Sequence, residues 1–293
     1  MYRILACLTL GCLFVFTARA ADEKNEIKPI NLAKLNSDKD EDDPHVSSVG
    51  AMLLYTAVDA KGKGEIRASV RRSPKAEWLP GKAPPQLTGK SDHRGASLTQ
   101  DGKFPQHLFF ATNMDPETLN KGDNYDIYFY IKQFPDADFT TMTALRICTA
   151  ADEMHPWVTA DGRHVFFSRK TKDGWKVFVT SKPPAGGQFG PEKEVELPVN
   201  FHHATLSPDG KTMYLQGPVG TEDKERWGLF RSKATEKGWS KPEPLDGLNS
   251  DTGKIGSKSP ALSRDGTILY FASDRDGGKG GLDIWAVPVA QLK

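Results

Sequence analysis

Ser263-Arg264-Asp265-Gly266-Thr267-Ile268-Leu269-Tyr270-Phe271-Ala272-Ser273-Asp274-Arg275 is the stretch from which the rest of the chain can be read. Asp265-Gly266 is a hairpin-turn pair, because glycine accepts a positive φ and aspartate bonds its own backbone nearby. The run behind it, Leu269 to Ala272, is short and apolar on both faces, as for a strand buried from both sides. The phrase recurs as Ser207-Pro208-Asp209-Gly210, then Thr159-Ala160-Asp161-Gly162, then Thr99-Gln100-Asp101-Gly102 with Leu108 to Ala111 after a short insertion. Ser47 to Thr56 is a degraded fifth copy. The turn aspartates are 60, 48 and 56 residues apart, a period that means propellers, solenoids or arrays.

Each unit reads as four strands. Asp283-Ile284-Trp285-Ala286-Val287, Asp126 to Phe129, Lys176 to Val179 and Gly228 to Arg231 supply third strands after a further turn. An aromatic-to-proline stretch then ends in a weak fourth strand, as in Trp239 to Leu245, Trp78 to Leu87 and Phe189 to Leu197. The last unit has only three strands before Lys293, whereas Ile30 to Asp38 resembles Leu245 to Asp251, a fourth strand elsewhere. The expectation is an all-β, five-bladed propeller of four-stranded antiparallel blades, its ring closed by the N-terminal strand in the last blade. Closure hides sheet edges that an open array would expose.

These phrases resemble the WD-repeat-like propeller repeat of bacterial envelope and secreted proteins, whose best-known relative is the Tol-system propeller TolB. Ser259 to Trp285 is the closest fit, and the likeness runs over about residues 30–293. The resemblance implies the fold and hardly any function.

Composition narrows the class. The chain has 293 residues, 38% of them hydrophobic, and 39 basic residues meet 38 acidic ones. That excludes a multi-span membrane protein and disfavours nucleic acid as a partner. Arg3, an apolar run from Ile4 to Phe16 and Ala18-Arg19-Ala20 read as a cleaved signal peptide over 1–20. The expectation is an exported, periplasmic or secreted protein with one propeller domain over 21–293, monomeric and without a membrane span once the signal is removed. A lipoprotein reading on Cys12 is disfavoured because Leu13 to Phe16 continue the apolar run. Cys148 is then left alone, so no internal disulfide forms, and it reads as a buried small hydrophobe.

Histidines carry the chemistry. His155 and His203 each lie six residues before the aspartate of their Asp-Gly, and His45 and His93 lie near the same place in units one and two. If the innermost strands line the channel, His155, His203, His45 and His93 ring one mouth as candidate metal ligands, with Asp43, Asp92, Asp152 and Glu153 nearby. Imidazoles and carboxylates converging from several blades are what a divalent metal needs, although no cofactor is required by the fold. Metal-dependent oligogalacturonate lyases, propellers of related repeats, offer a loose resemblance. A glycosidase would use carboxylates in the channel, with Asp43, Asp92 and Asp152 or Glu153 as the trio. The acidic run Asp38 to Asp43 reads as a solvated linker, and Gly277 to Gly281 as a hairpin loop. With no G-x-S-x-G elbow and no S-x-x-K, the leading expectation is a non-catalytic binding or scaffolding module for a protein or envelope glycan. The alternative is a carbohydrate-active enzyme, a metal-assisted lyase or a glycosidase, with a His/acid site at the channel mouth.

Overall fold

The computed structural model describes residues 27–114, 121–219, 226–249 and 252–292. Five antiparallel sheets stand around one axis. Blade one runs through Asp40–Val46, Met52–Val58 and Gly64–Val70, and its outer edge is completed by a bridge between Ala68 and Lys82. Blade two comprises His93–Leu98, Gln106–Met114, Lys121–Lys132 and Thr140–Ala144. Blade three comprises Glu153–Val158, His164–Thr171, Gly174–Ser181 and Lys193–Glu194. In blade four, His202–Leu206, Thr212–Val219 and Arg226–Thr235 are followed by Glu243–Pro244. Blade five has Ser257–Leu262, Ile268–Ser273 and Asp283–Pro288, and its fourth strand is Ile30–Asn31 from the other end of the chain.

That N-terminal strand closes the ring. Ile30 pairs with Ala286 and Asn31 with Trp285. Asn36 then clamps the third strand: its Oδ1 accepts from the Ile284 N–H at 2.8 Å and its Nδ2 donates to the Ile284 carbonyl at 3.1 Å. Asn249 makes the same pair with Leu229 in blade four, at 2.6 and 3.1 Å. In blade two the clamp is Cys148, whose sulfur accepts from the Ile127 N–H at 3.3 Å and faces its carbonyl at 3.6 Å. Cys148 therefore sits in a turn rather than in the strand its apolar neighbours suggested, and it acts as a polar clamp.

The turns follow their chemistry. The glycines of Asp-Gly take φ of 71°, 70°, 67° and 73° at Gly102, Gly162, Gly210 and Gly266. Asp161, Asp209 and Asp265 each accept the N–H two residues on, at 3.0 Å. The buried apolar side chains fall into five clusters, each lying between neighbouring blades. Burial of each large side chain stabilises by about 1.5–3 kcal/mol, so adhesion between blades is mainly apolar. Hydrogen bonds near the axis set the spacing of the inner strands. The N–H groups of Leu98, Val158 and Leu262 donate to His45 Nε2, Ser97 Oγ and Thr205 Oγ1 of the preceding blade.

One expectation fails outright. Asp40 to Asp43 is no linker but the start of the innermost strand of blade one, with Asp42 and Asp43 buried. Inward-pointing charge hid the strand. The proposed signal peptide lies outside the described residues. No helix among the described residues is long and apolar enough to cross a membrane.

Candidate metal centre in the propeller channel

Every innermost strand shifts register against its neighbour at one place. The shifts lie between Asp42 and His45, Arg94 and Ser97, Met154 and Trp157, His202 and Thr205, and Lys258 and Ala261. The first residue inside each bulge has left-handed backbone: Asp43 at φ 49°, Gly95 at 59°, His155 at 53°, His203 at 55° and Ser259 at 53°. A proline or alanine follows in all five, namely Pro44, Ala96, Pro156, Ala204 and Pro260. Glycine takes this conformation freely, whereas a residue with a Cβ loses about 1–3 kcal/mol there. Bulges re-aim side chains, and four of the five blades bear this strain to aim one at the channel.

Three of those side chains meet. Asp43, His155 and His203 offer ligand atoms that all lie within 4.8 Å of one another, and all three are buried. His203 Nδ1 is 3.8 Å from Asp43 Oδ1, and the rings of His155 and His203 stack with centroids 4.1 Å apart. Two ligands of one tetrahedral ion at ~2.1 Å are about 3.4 Å apart, so a small side-chain movement closes the set. The Nδ1 atoms of both histidines are shut off from solvent and have no hydrogen-bond partner. Burial, then the neighbouring His203 and His202, pulls the His155 imidazole well below its ordinary pKa. Burial likewise holds His203 at about 3. Both rings are therefore neutral, the form that ligates metals. A cavity of about 20 Å³ between them has room for one water-sized body. The donor set fits a divalent transition ion with open coordination positions.

Surrounding groups fix these ligands. Thr56 Oγ1 donates to Asp43 Oδ2 at 3.0 Å and accepts from the Gly95 N–H at 3.2 Å, while Asp43 Oδ1 faces His203 and the Ser259 hydroxyl, the latter at 3.4 Å. Burial and then the charge of Asp42 raise Asp43 to about 7. Burial would raise Asp42 as well. The Lys258 ammonium at 2.6 Å and the Ser259 hydroxyl at 2.5 Å outweigh it and hold Asp42 at about 2.

A third histidine has a different task. The Ser259 N–H can only donate, so the atom of Gln216 facing it at 2.9 Å is Oε1. Gln216 Nε2 then donates to His202 Nε2 at 3.1 Å, which leaves the His202 proton on Nδ1. That N–H is buried and unpartnered. The ring stacks on Trp175 at 5.1 Å and meets the Trp227 edge at 5.2 Å, and both indoles are half-buried. On the Asp-Gly side, Arg264 reaches across the ring to the carbonyls of Leu98 at 2.9 Å and Val158 at 2.7 Å. It obstructs the channel a few residues below the bulges.

Counting from Asp-Gly brings His155 and His203 together but misplaces the other two candidates. His45 lies two residues past its bulge, where its ring bonds the Leu98 N–H. His93 lies two residues before its bulge, edge-on to Phe110 at 5.7 Å. Blade two offers Gly95 at the channel position and blade one offers Asp43. The X-Pro or X-Ala rhythm after the bulge was the signal that would have placed Asp43 in the set. The carboxylate trio does not assemble either. Asp92 is bound by Arg94 at 2.8 and 3.0 Å, Asp152 by the Tyr125 N–H at 3.0 Å, and Glu153 by Arg169 at 2.6 Å and Thr149 at 2.7 and 2.9 Å.

No family model and no curated protein matches the chain. Among solved structures, the fold is similar to a GH43_1 enzyme from Xanthomonas citri complexed with xylose, at 12% identity, 90% coverage of each chain and a TM-score of 0.60. It is also similar to an endo-arabinase from Bacteroides thetaiotaomicron, at 13% identity, 88% of this chain, 96% of that one and a TM-score of 0.56. A putative TolB from Agrobacterium tumefaciens matches at 13% identity, with 84% of this chain, 80% of that one and a TM-score of 0.49. The β-propeller stands, without specific support for a WD-repeat family. The expectation of a non-catalytic binding module is corrected: the solved structures that share this fold are mostly glycoside hydrolases.

Proposed function

We propose that this chain is a carbohydrate-active enzyme whose channel centre, Asp43, His155 and His203, holds a divalent metal. The observation that carries the reading is the convergence of one carboxylate and two neutral, unpartnered imidazoles from three blades. Fold likeness to sugar-cleaving propellers supports the substrate class. A two-carboxylate hydrolysis is disfavoured, because of the four candidate carboxylates only Asp43 joins the channel cluster, while Asp92, Asp152 and Glu153 are held elsewhere. A metal-assisted lyase acting on an acidic sugar chain fits better. When bound, the ion would polarise a sugar carboxylate or hydroxyl oxygen. The half-buried indoles of Trp175 and Trp227 flank His202 beside the centre and supply apolar surface for a sugar ring. The leader-like N terminus supports an exported setting, where extracellular polysaccharide is available.

Elemental analysis of purified protein tests the reading. Near-stoichiometric zinc, manganese or nickel should be present and should be lost in the His155→Ala, His203→Ala double variant. Digests of acidic oligosaccharides should then show unsaturated product ends with the wild type and none with the variant. Equal, negligible metal in both proteins after metal loading would sink the proposal.

A further inference from the structure

A groove of about 340 Å³ lies between the Asp-Gly turns of blades two and three, away from the metal centre, and its walls are basic. Lys103, His107, Arg163 and Lys182 line it, with Asp161 as the only acid. Asp161 is already engaged, its Oδ1 accepting from the Arg163 N–H at 3.0 Å and the Thr159 hydroxyl at 2.6 Å. Among the described residues, no carboxylate lies within 4.0 Å of the Lys103, Arg163 or Lys182 side-chain nitrogens.

Two of these cations are half-buried and make no direct ion pair. Arg163 Nε is shut off from solvent and has no acceptor. Lys182 Nζ sits 4.6 Å over the Phe189 ring, and burial holds its ammonium below the ordinary lysine range. An orphaned buried donor costs about 1–3 kcal/mol, more when charged, and buried charges are ordinarily paired. The second cavity beside it, about 420 Å³, shares Gln100 and Ala160 and carries the Trp157 indole with Arg264 at 5.3 Å. Cations without partners thus adjoin an aromatic face.

We propose that this groove is an anion-binding site, accepting the carboxylate, sulfate or phosphate oxygens of an acidic sugar chain or of a free ion. The site owes nothing to the metal centre. Charge-assisted hydrogen bonds from Arg163 and Lys182 supply the recognition, and Trp157 extends the groove for a ligand longer than a single ion.

Calorimetric titration of the full chain with inorganic sulfate and with a galacturonic acid trimer provides the test. Both are titrated again in the His155→Ala, His203→Ala variant, so that channel binding does not report. Both probes should bind, with Kd raised about tenfold or more by Arg163→Gln with Lys182→Gln and unchanged by the exposed control Lys211→Gln. A trimer that outbinds sulfate, with an advantage abolished by Trp157→Leu, identifies a sugar chain as the source; equal affinities identify a free ion. Absence of millimolar binding by either probe overturns the proposal. So does a Kd within twofold of wild type in a double variant that melts like the parent.

Discussion

Replacing Lys258 by methionine removes a charge from the seam between blades five and one while keeping an unbranched side chain only one atom shorter. Lys258 Nζ lies 2.6 Å from Asp42 Oδ2, the Asp42 side chain is 6% exposed and that of Lys258 20%. Asp42 would keep the Ser259 hydroxyl at 2.5 Å and the Asp43 N–H at 2.8 Å, but no cation would neutralise it. Leaving one partner of a fully buried pair uncompensated costs about 3–5 kcal/mol. Partial exposure of the lysine favours the low end, about 3 kcal/mol, equivalent to roughly 6–12 °C in Tm for a chain near this size. Equilibrium urea denaturation of Lys258→Met, Asp42→Asn and the double variant measures it. The double variant should lose well under the sum of the singles, because a neutral amide facing a thioether leaves no stranded charge. A loss below about 1 kcal/mol for Lys258→Met, or strict additivity in the cycle, would refute the assignment of Asp42 as a charged, lysine-dependent group.

Other consequences are measurable in the same way. Asn36→Ala removes both clamp bonds to Ile284 and should cost about 2 kcal/mol in urea, whereas Cys148→Asn should be nearly neutral, since the amide does the same work in the two equivalent blades. His45 is buried, and burial, then the Arg264 charge, holds its folded pKa at about 3 against an ordinary 6.5, partly offset by its bond to Leu98. The folded state thus binds fewer protons than the unfolded chain between those values, and stability falls with acid across that window by about 1.4 kcal/mol per pH unit for this group. His45→Thr, which matches Thr205, should flatten the stability–pH slope by one proton's worth; an unchanged slope would exclude His45 as a source. Thr56→Val should weaken metal retention about tenfold or more against a competing chelator without emptying the site, because Thr56 orients Asp43 and is no ligand.

Much of the fold could be read directly because its signals are local. Asp-Gly turns and the Leu35-Asn36-Ser37 likeness to Leu248-Asn249-Ser250 act within a few residues, so they located the blades and the closing strand. Blade one resisted because its innermost strand, Asp40–Val46, carries a run of acids and an imidazole that the channel and the blade seams absorb. The site was half legible. Turn-to-bulge spacing is six residues in blades two to five, which paired His155 with His203, but blade two carries Gly95 at that position and its histidine, His93, lies two residues earlier. Whether a carboxylate is free or spent on an arginine is a tertiary fact, and no spacing announces that Asp92, Asp152 and Glu153 are engaged.

The left-handed position repeated in every blade has a consequence for how this molecule could change. It is a set of five addresses, each written by one codon on its own hairpin, around a backbone that already tolerates the conformation. Asp43, His155, His203 and Ser259 occupy four of them, and Gly95 is blank, with the Cα of His155 3.4 Å from where a Cβ would stand. New side chains at these addresses would redraw the chemistry of the axis while the clamps and the closing strand remained as they are, although a change at Ser259 would also reach Asp42 in the neighbouring seam.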